Sequence, residues 1–352
     1  MQAFTTLTYI GQAKRLRRVA QRALADYGIA HAEMKLLSHS QNTTFRVKLP
    51  SATAEAASAA PYVANQFLLR VHGSDRHGPD LAAAEAIAAE LAWLAALRRD
   101  TQLAVPEPVA TTAGSFITVV SDAGLPQARV CSLLRWLAGR CYFDSPRPTH
   151  LYKVGAMMAH LHEHAQQWPL PPGFRRFRWD RDGLFGDTIG FGGVSGTATW
   201  ALIPPDQHDL LARTRERVEQ TMQDLGQGPS VFGLIHADFH LDNVIFDHGE
   251  ARPIDFDDCG FGYWLYDMAV SLWLYRMKPD WPVWRAAFLT GYASVRPLPT
   301  DQLPYLDDFI AAREVSIALW DVGMAQHNPD FQAGLAADLA EIEQTIRTLF
   351  PA

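Results

Sequence analysis

Between Leu234 and Asp258 the chain reads LIHADFHLDNVIFDHGEARPIDFDD, seven acids with histidines and an asparagine set among strand-like apolar runs. NVIFD and RPID alternate around HGEA, where Gly249 can supply a positive φ, and this predicts a tight β-hairpin. A register that pairs Ile245 with Pro253 sets Asn243 opposite Asp255, and directly opposed residues in antiparallel strands have α-carbons about 4.5–5.5 Å apart. An amide oxygen and a carboxylate would then converge at the base of the hairpin as two hard oxygen donors, the ligand type that Mg2+ takes. Asp238 stands five residues before Asn243, which makes His236, Asp238 and Asn243 an H-x-D-x-x-x-x-N pattern. Phosphoryl transfer needs such parts: a carboxylate to orient a hydroxyl and accept its proton, beside ligands that hold metal against phosphates.

Upstream, the chain changes texture once. IGQAKRLRRVAQRALADYGI predicts an amphipathic helix with Leu16, Val19, Ala20, Ala23, Leu24 and Tyr27 on its buried face, Gly28 as its stop, and the Lys14–Arg18 cluster on a solvated face. Met34–Ser38 and Thr43–Leu49 read as a hairpin around the turn Ser38–Asn42, followed by an aperiodic loop, Ser51–Pro61. NQFLLRVHG is a third strand that carries Arg70 within an apolar run, and a Pro-started, Ala-rich helix after it carries Glu90. Further strand-like segments reach ARVCSLLRWLAG, beyond which the chain is mainly helical. The expected organisation is therefore α+β and two-lobed: a small antiparallel-sheet lobe over 1–133, a linker over 134–138, and a larger, mainly helical lobe over 139–352.

With IDFDD and the following YDMA, the H-x-D-x-x-x-x-N pattern resembles the aminoglycoside phosphotransferase, choline kinase and homoserine kinase superfamily, relatives of protein kinases that also include the bacterial stress-response Ser/Thr kinases. RWLAGR, VGAMMAHLHEHAQQW and PPGFRRFRWD look like that superfamily's hinge and first large-lobe helix. The resemblance implies a protein-kinase-like fold, ATP or GTP with Mg2+ as cofactors, and a small hydroxylated acceptor. It makes Asp238 the catalytic base, Asn243 and Asp255 metal ligands, Asp257 a second acidic contact, and His236 and Asp267 structural braces. Arg70 takes the place of the kinase phosphate-binding lysine and Glu90 that of its ion-pair partner. Ser40 and Asn42 stand in the turn where a glycine-rich loop is absent, and Leu134 and Trp136 lie at the hinge against the nucleotide. A guanidinium can still grip phosphate bidentately.

Composition narrows the partners. A formal net charge of −7 argues against a nucleic-acid partner, and no apolar run approaches the roughly 20 residues of a membrane span. Three cysteines without a C-x-x-C pair fit a reducing, cytoplasmic setting. Other readings stand beside the kinase one. A protein Ser/Thr acceptor and a non-catalytic nucleotide-binding pseudokinase are two. A zinc hydrolase built on His236 and His240, or on His160, His162 and His164, is a third, although His162 alone turned inward from a solvated helix face explains the second cluster. Asp267 reads as a helix N-cap. Trp264, Trp273 and Trp320 read as packing, and Asp307, Asp308, Glu314 and Asp321, with Asp258, as acids that would steer a cationic acceptor.

Overall fold

The computed structural model describes residues 3–50, 61–73, 83–142 and 145–351. Ser51–Ala60 of the expected loop and the Pro79 start of the second helix lie outside them. The described residues cluster into two compact units, one ending at Gly139 and the other beginning at Arg140.

The first unit contains α1 (Tyr9–Asp26), β1 (Glu33–His39), β2 (Thr43–Lys48), β3 (Tyr62–Val71), α2 (Ala83–Asp100), β4 (Ile117–Val120) and β5 (Arg129–Leu137). Its antiparallel sheet runs β1-β2-β3-β5-β4. Strand periodicity gives the sheet two working faces. Phe45, Val47, Leu69, Val71, Cys131 and Leu133 form a core with Leu16, Val19, Ala20, Ala23, Leu24 and Tyr27 of α1, the helical stripe expected from the sequence. Arg70 points to the opposite face, where it meets Glu90 of α2.

The basic cluster of α1 keeps its expected solvated face at Lys14 and Arg18 but not at Arg15 and Arg17. Arg15 is buried and donates to the Gly124 carbonyl, Arg17 donates to the Met34 carbonyl, and Arg18 pairs with Asp122. These arginines staple α1 to β1 and to the loop after β4. The segment expected as a linker, 134–138, continues β5 as far as Leu137, because Leu134 and Arg135 remain paired with Leu68 and Phe67 of β3.

The second unit contains α3 (Pro148–Gln167), β6 (Phe177–Trp179), α4 (Arg181–Phe185), α5 (Gly196–Trp200), α6 (Pro205–Leu225), β7 (Phe232–Ile235), β8 (Val244–Asp247), β9 (Glu250–Pro253), β10 (Gly260–Tyr263), α7 (Trp264–Leu272), α8 (Trp281–Ala293), α9 (Leu306–Ala325) and α10 (Pro329–Leu349). β10 lies between β6, to which it is parallel, and β7, to which it is antiparallel. α9 is buried along most of its length, with Phe309, Ile310, Val315, Leu319 and Val322 in the core. Among the described residues no helix is long and apolar enough to cross a membrane.

The hairpin β8–β9 forms in a register one residue from the expected one: Val244 pairs with Pro253 and Ile245 with Arg252. The turn explains the difference. His248 and Gly249 both have positive φ, 47° and 84°, as a two-residue primed turn between Asp247 and Glu250 requires, and so short a turn fixes the pairing.

α3 and α8 approach backbone to backbone through two glycines. A Cβ on Gly155 would stand 2.1 Å from the Phe288 carbonyl oxygen, and one on Gly291 would stand 1.8 Å from that of Tyr152. Gly155→Ala must push the helices apart, which costs about 1–3 kcal/mol in overpacked interiors. Thermal unfolding should show a Tm several degrees below that of the natural chain; an unchanged Tm would contradict this close approach.

Candidate active site

The loop after β7 is built around one strained backbone position. Ala237 has φ 66°, a region that costs a β-carbon-bearing residue free energy. Its N–H donates to Asp267 Oδ1 at 2.8 Å, and the N–H of His236 donates to Oδ2 at 3.1 Å. Asp267 is therefore not the N-cap of α7. It lies one turn inside the helix, whose cap position is Tyr263, and is turned back onto the loop.

The second oxygen of Asp267 also faces His162 Nε2 at 3.0 Å. Burial lowers the His162 pKa, more than Asp267 raises it, so the ring is neutral. A carboxylate can only accept, which puts the ring proton on Nε2 and leaves Nδ1 to accept from the Tyr292 hydroxyl at 3.0 Å. Arg296 donates in turn to that hydroxyl at 2.9 Å. His162 does turn inward, as the sequence suggested, but as a link in a donor chain that ends on the loop.

His236 ties the loop to the hairpin. Its Nε2 donates to the Ile254 carbonyl at 3.0 Å and its ring packs against Phe239 and Phe256. The Ile254 N–H donates to the Asn243 carbonyl at 2.9 Å. Ile254 thus stands across from Asn243 where Asp255 was expected, and the left-handed φ of 59° at Asp255 turns the chain immediately beyond. Asn243 and Asp255 are brought to the same hairpin base by this junction rather than by direct opposition.

Asp238 follows the strained residue. Its side chain is 22% exposed. Oδ2 accepts from Asn243 Nδ2 at 2.9 Å and faces His240 Nε2 at 3.4 Å, and Oδ1 accepts from Arg313 Nη2 at 2.6 Å. Burial by itself would raise the Asp238 pKa. The His240 hydrogen bond and the charge of Arg313 outweigh it and hold the carboxyl well below the usual carboxylate range. Asp238 is ionised and oriented on both oxygens. Asp257 is almost wholly buried in the turn Phe256–Asp258, and its carbonyl accepts from Arg176.

In the first unit, Arg70 Nη1 and Glu90 Oε1 form a buried ion pair at 2.9 Å. Asn42 Oδ1 accepts from the Gly73 N–H at 3.1 Å, and Ser40 N–H donates to the Asn42 carbonyl, so the β1–β2 turn is braced from the end of β3. Leu134 is buried; Trp136 is half-buried beneath the guanidinium of Arg46.

The acids of α9 are engaged internally. Asp307 pairs with Arg276 and Asp308 with Arg217. Burial, reinforced by Glu341, pushes Glu314 up to about 8, and burial with Asp338 pushes Asp321 up to about 7. The residue of this segment that reaches Asp238 is Arg313, which the sequence reading passed over. Its signal was present: a single cation inside the apolar run FIAAREVSIAL. Two histidines of the zinc reading are committed elsewhere: His236 Nε2 to the Ile254 carbonyl, and both ring nitrogens of His162 to Asp267 and Tyr292.

Residues 42–301 match the phosphotransferase enzyme family, APH. The chain belongs to that family. It is 22% identical over 311 residues to the amicoumacin kinase of Bacillus subtilis, covering 85% of this chain and 83% of that one. It is 30% identical over 226 residues to a homoserine kinase of Neisseria meningitidis, covering 62% and 65%. A microcompartment-associated aminopropanol kinase has a similar structure, with a TM-score of 0.76 and 29% identity over 95% of this chain and 97% of that one. The kinase-like fold, with its antiparallel-sheet unit, is the one the sequence predicts.

Glu314, one of the raised acids on α9, makes stability pH-dependent with a definite sign. Glu314 binds its proton more tightly folded than unfolded, so its contribution is complete below its ordinary pKa of 4.5 and is lost as pH rises to about 8. Glu314→Gln should gain stability relative to the natural chain across that window, by at least about 1.4 kcal/mol, the equivalent of one pKa unit. Chemical denaturation at pH 4.5 and pH 8 checks this; a difference that does not grow with pH would refute it.

Proposed function

We propose that this protein transfers the terminal phosphate of ATP or GTP to a hydroxyl group of a small molecule in the cytoplasm. The observation that carries the reading is the fixing of Asp238 and Asn243 on each other, with Asp255 delivered to the same hairpin base. Asn243 directs its amide nitrogen at Asp238, and this leaves the amide oxygen as its donor toward a cation. That oxygen and the Asp255 carboxylate suit Mg2+, which takes one or two protein oxygens and completes its shell with water and phosphate. Asp257 is the further acid of the set. When bound, the ion neutralises charge on the phosphates.

The residues of the chain divide the remaining work. Asp238 accepts a hydrogen bond from the acceptor hydroxyl and aims its oxygen at the terminal phosphorus. As the new P–O bond forms and the bond to the leaving diphosphate breaks, the hydroxyl proton passes to Asp238. A carboxyl with a depressed pKa is a weak base, which suits a loose transition state in which the proton moves late and positioning dominates. Arg70, held by Glu90, binds phosphate in place of a lysine. The Ser40–Asn42 turn covers the phosphates, while Leu134 and Trp136 contact the base.

Relatives named for amicoumacin, aminopropanol and homoserine support a small-molecule acceptor over a protein one. The organised Asp238, Asn243 and Asp255 set supports catalysis over a pseudokinase. ADP release should be screened over amino alcohols, hydroxy amino acids, sugars, aminoglycosides and a generic protein substrate, with Asp238→Asn as the blank. Asp238→Asn should lose about 10²- to 10⁴-fold in turnover and keep its nucleotide affinity. Asp255→Asn should instead weaken Mg-nucleotide binding. Equal loss of affinity in both variants would overturn the assignment, and protein phosphorylation without small-molecule turnover would overturn the acceptor class.

A further inference from the structure

Arg313 is nine-tenths buried, yet most of its five N–H donors are unengaged. Nη2 meets Asp238 at 2.6 Å, while Nη1 has only the Tyr266 hydroxyl at 3.5 Å, the limit of a hydrogen bond. Nε has no partner among the described residues. The ring of Trp273 lies 5.2 Å from the guanidinium carbon, so the cation is held from the side by an aromatic face. A contact through one nitrogen is all that Asp238 requires, and a lysine would supply it. A guanidinium fork with spare, desolvated donors is a receptor for an oxyanion.

We infer that Arg313 is an oxyanion-binding residue of the active site, with its spare donors taken by an oxyanion that a ligand brings beside Asp238. The inference rests on the phosphotransfer reading, which is what brings oxyanions there. Charge favours it: bare Asp238 would repel a second anion, whereas the pair with Arg313 is close to neutral. Arg313 arrives on α9, 75 residues from Asp238 in the chain, and so adds to the motif a cation that H-x-D-x-x-x-x-N does not encode. Two ligands carry the required chemistry, the phosphoryl group in transfer and a carboxylate on the acceptor.

Binding separates them. The natural chain, Arg313→Met and Arg313→Lys are titrated with Mg·AMP-PNP, and then, with that nucleotide saturating, with L-homoserine and with 3-aminopropan-1-ol, which has the same hydroxyl and amine but no carboxylate. A loss of roughly ten-fold or more for the nucleotide in Arg313→Met, partly restored in Arg313→Lys, assigns the phosphoryl group. A similar loss for L-homoserine, with 3-aminopropan-1-ol unaffected, assigns the carboxylate. Circular dichroism and Tm accompany each variant, and if Arg313→Met does not fold, Arg313→Lys decides, since it keeps the charge and loses the fork. Affinities within two-fold of the natural chain for all three ligands would overturn the inference and leave Arg313 a brace for Asp238. Failure of the natural chain to bind Mg·AMP-PNP would remove the phosphotransfer reading and this inference with it; normal binding indifferent to Arg313 removes this inference alone.

Discussion

The loop that carries Asp238 depends on one carboxylate, Asp267, that is wholly buried. Asp267 accepts from two consecutive backbone N–H groups and from a neutral histidine. A carboxylate taken out of water is costly unless donors replace its hydration, and three do so here. Hydrogen bonds to a charged acceptor contribute about 1.5–3 kcal/mol each, more than the roughly 1–2 kcal/mol of left-handed backbone at Ala237. The strained turn is thus the stable one, and Asp238 leaves it with its direction fixed.

Much of this was legible in the sequence because the motif is local. His236, Asp238, Asn243 and Asp255 fall within one hairpin and its approaches, and short-range turn chemistry brings them together. Arg70 and Glu90 were paired only through the family resemblance, since a strand arginine and a helix glutamate do not by themselves announce an ion pair. What escaped was the use of long-range contacts. The hairpin register shifted by one because the two-residue turn, not the hydrophobic alternation, set it. Asp267 read by itself as a cap because nothing in its neighbourhood reveals a loop 30 residues earlier turning back onto it, and only the family resemblance made it the brace that it is.

Charge on α9 illustrates the same limit from the other side. Four acids stood out in the sequence as steering groups for a cation, yet two are paired with arginines and two are buried with raised pKa values. The lone arginine among them is the group that faces Asp238. Which charge of a helix reaches a site is decided by what packs on each side of it, and periodicity alone does not carry that information.

The His248–Gly249 turn has a consequence for how this chain can change. Surface turns ordinarily accept inserted residues, since closing a slightly longer loop costs little. Here the turn sets the pairing of β8 with β9, and that pairing positions Ile254 across from Asn243. A single residue added at this exposed tip would leave the hydrophobic core untouched while sliding Asp255 along the hairpin base. The enzyme's tolerance of length variation would therefore be lowest at a place where burial and packing predict it to be high.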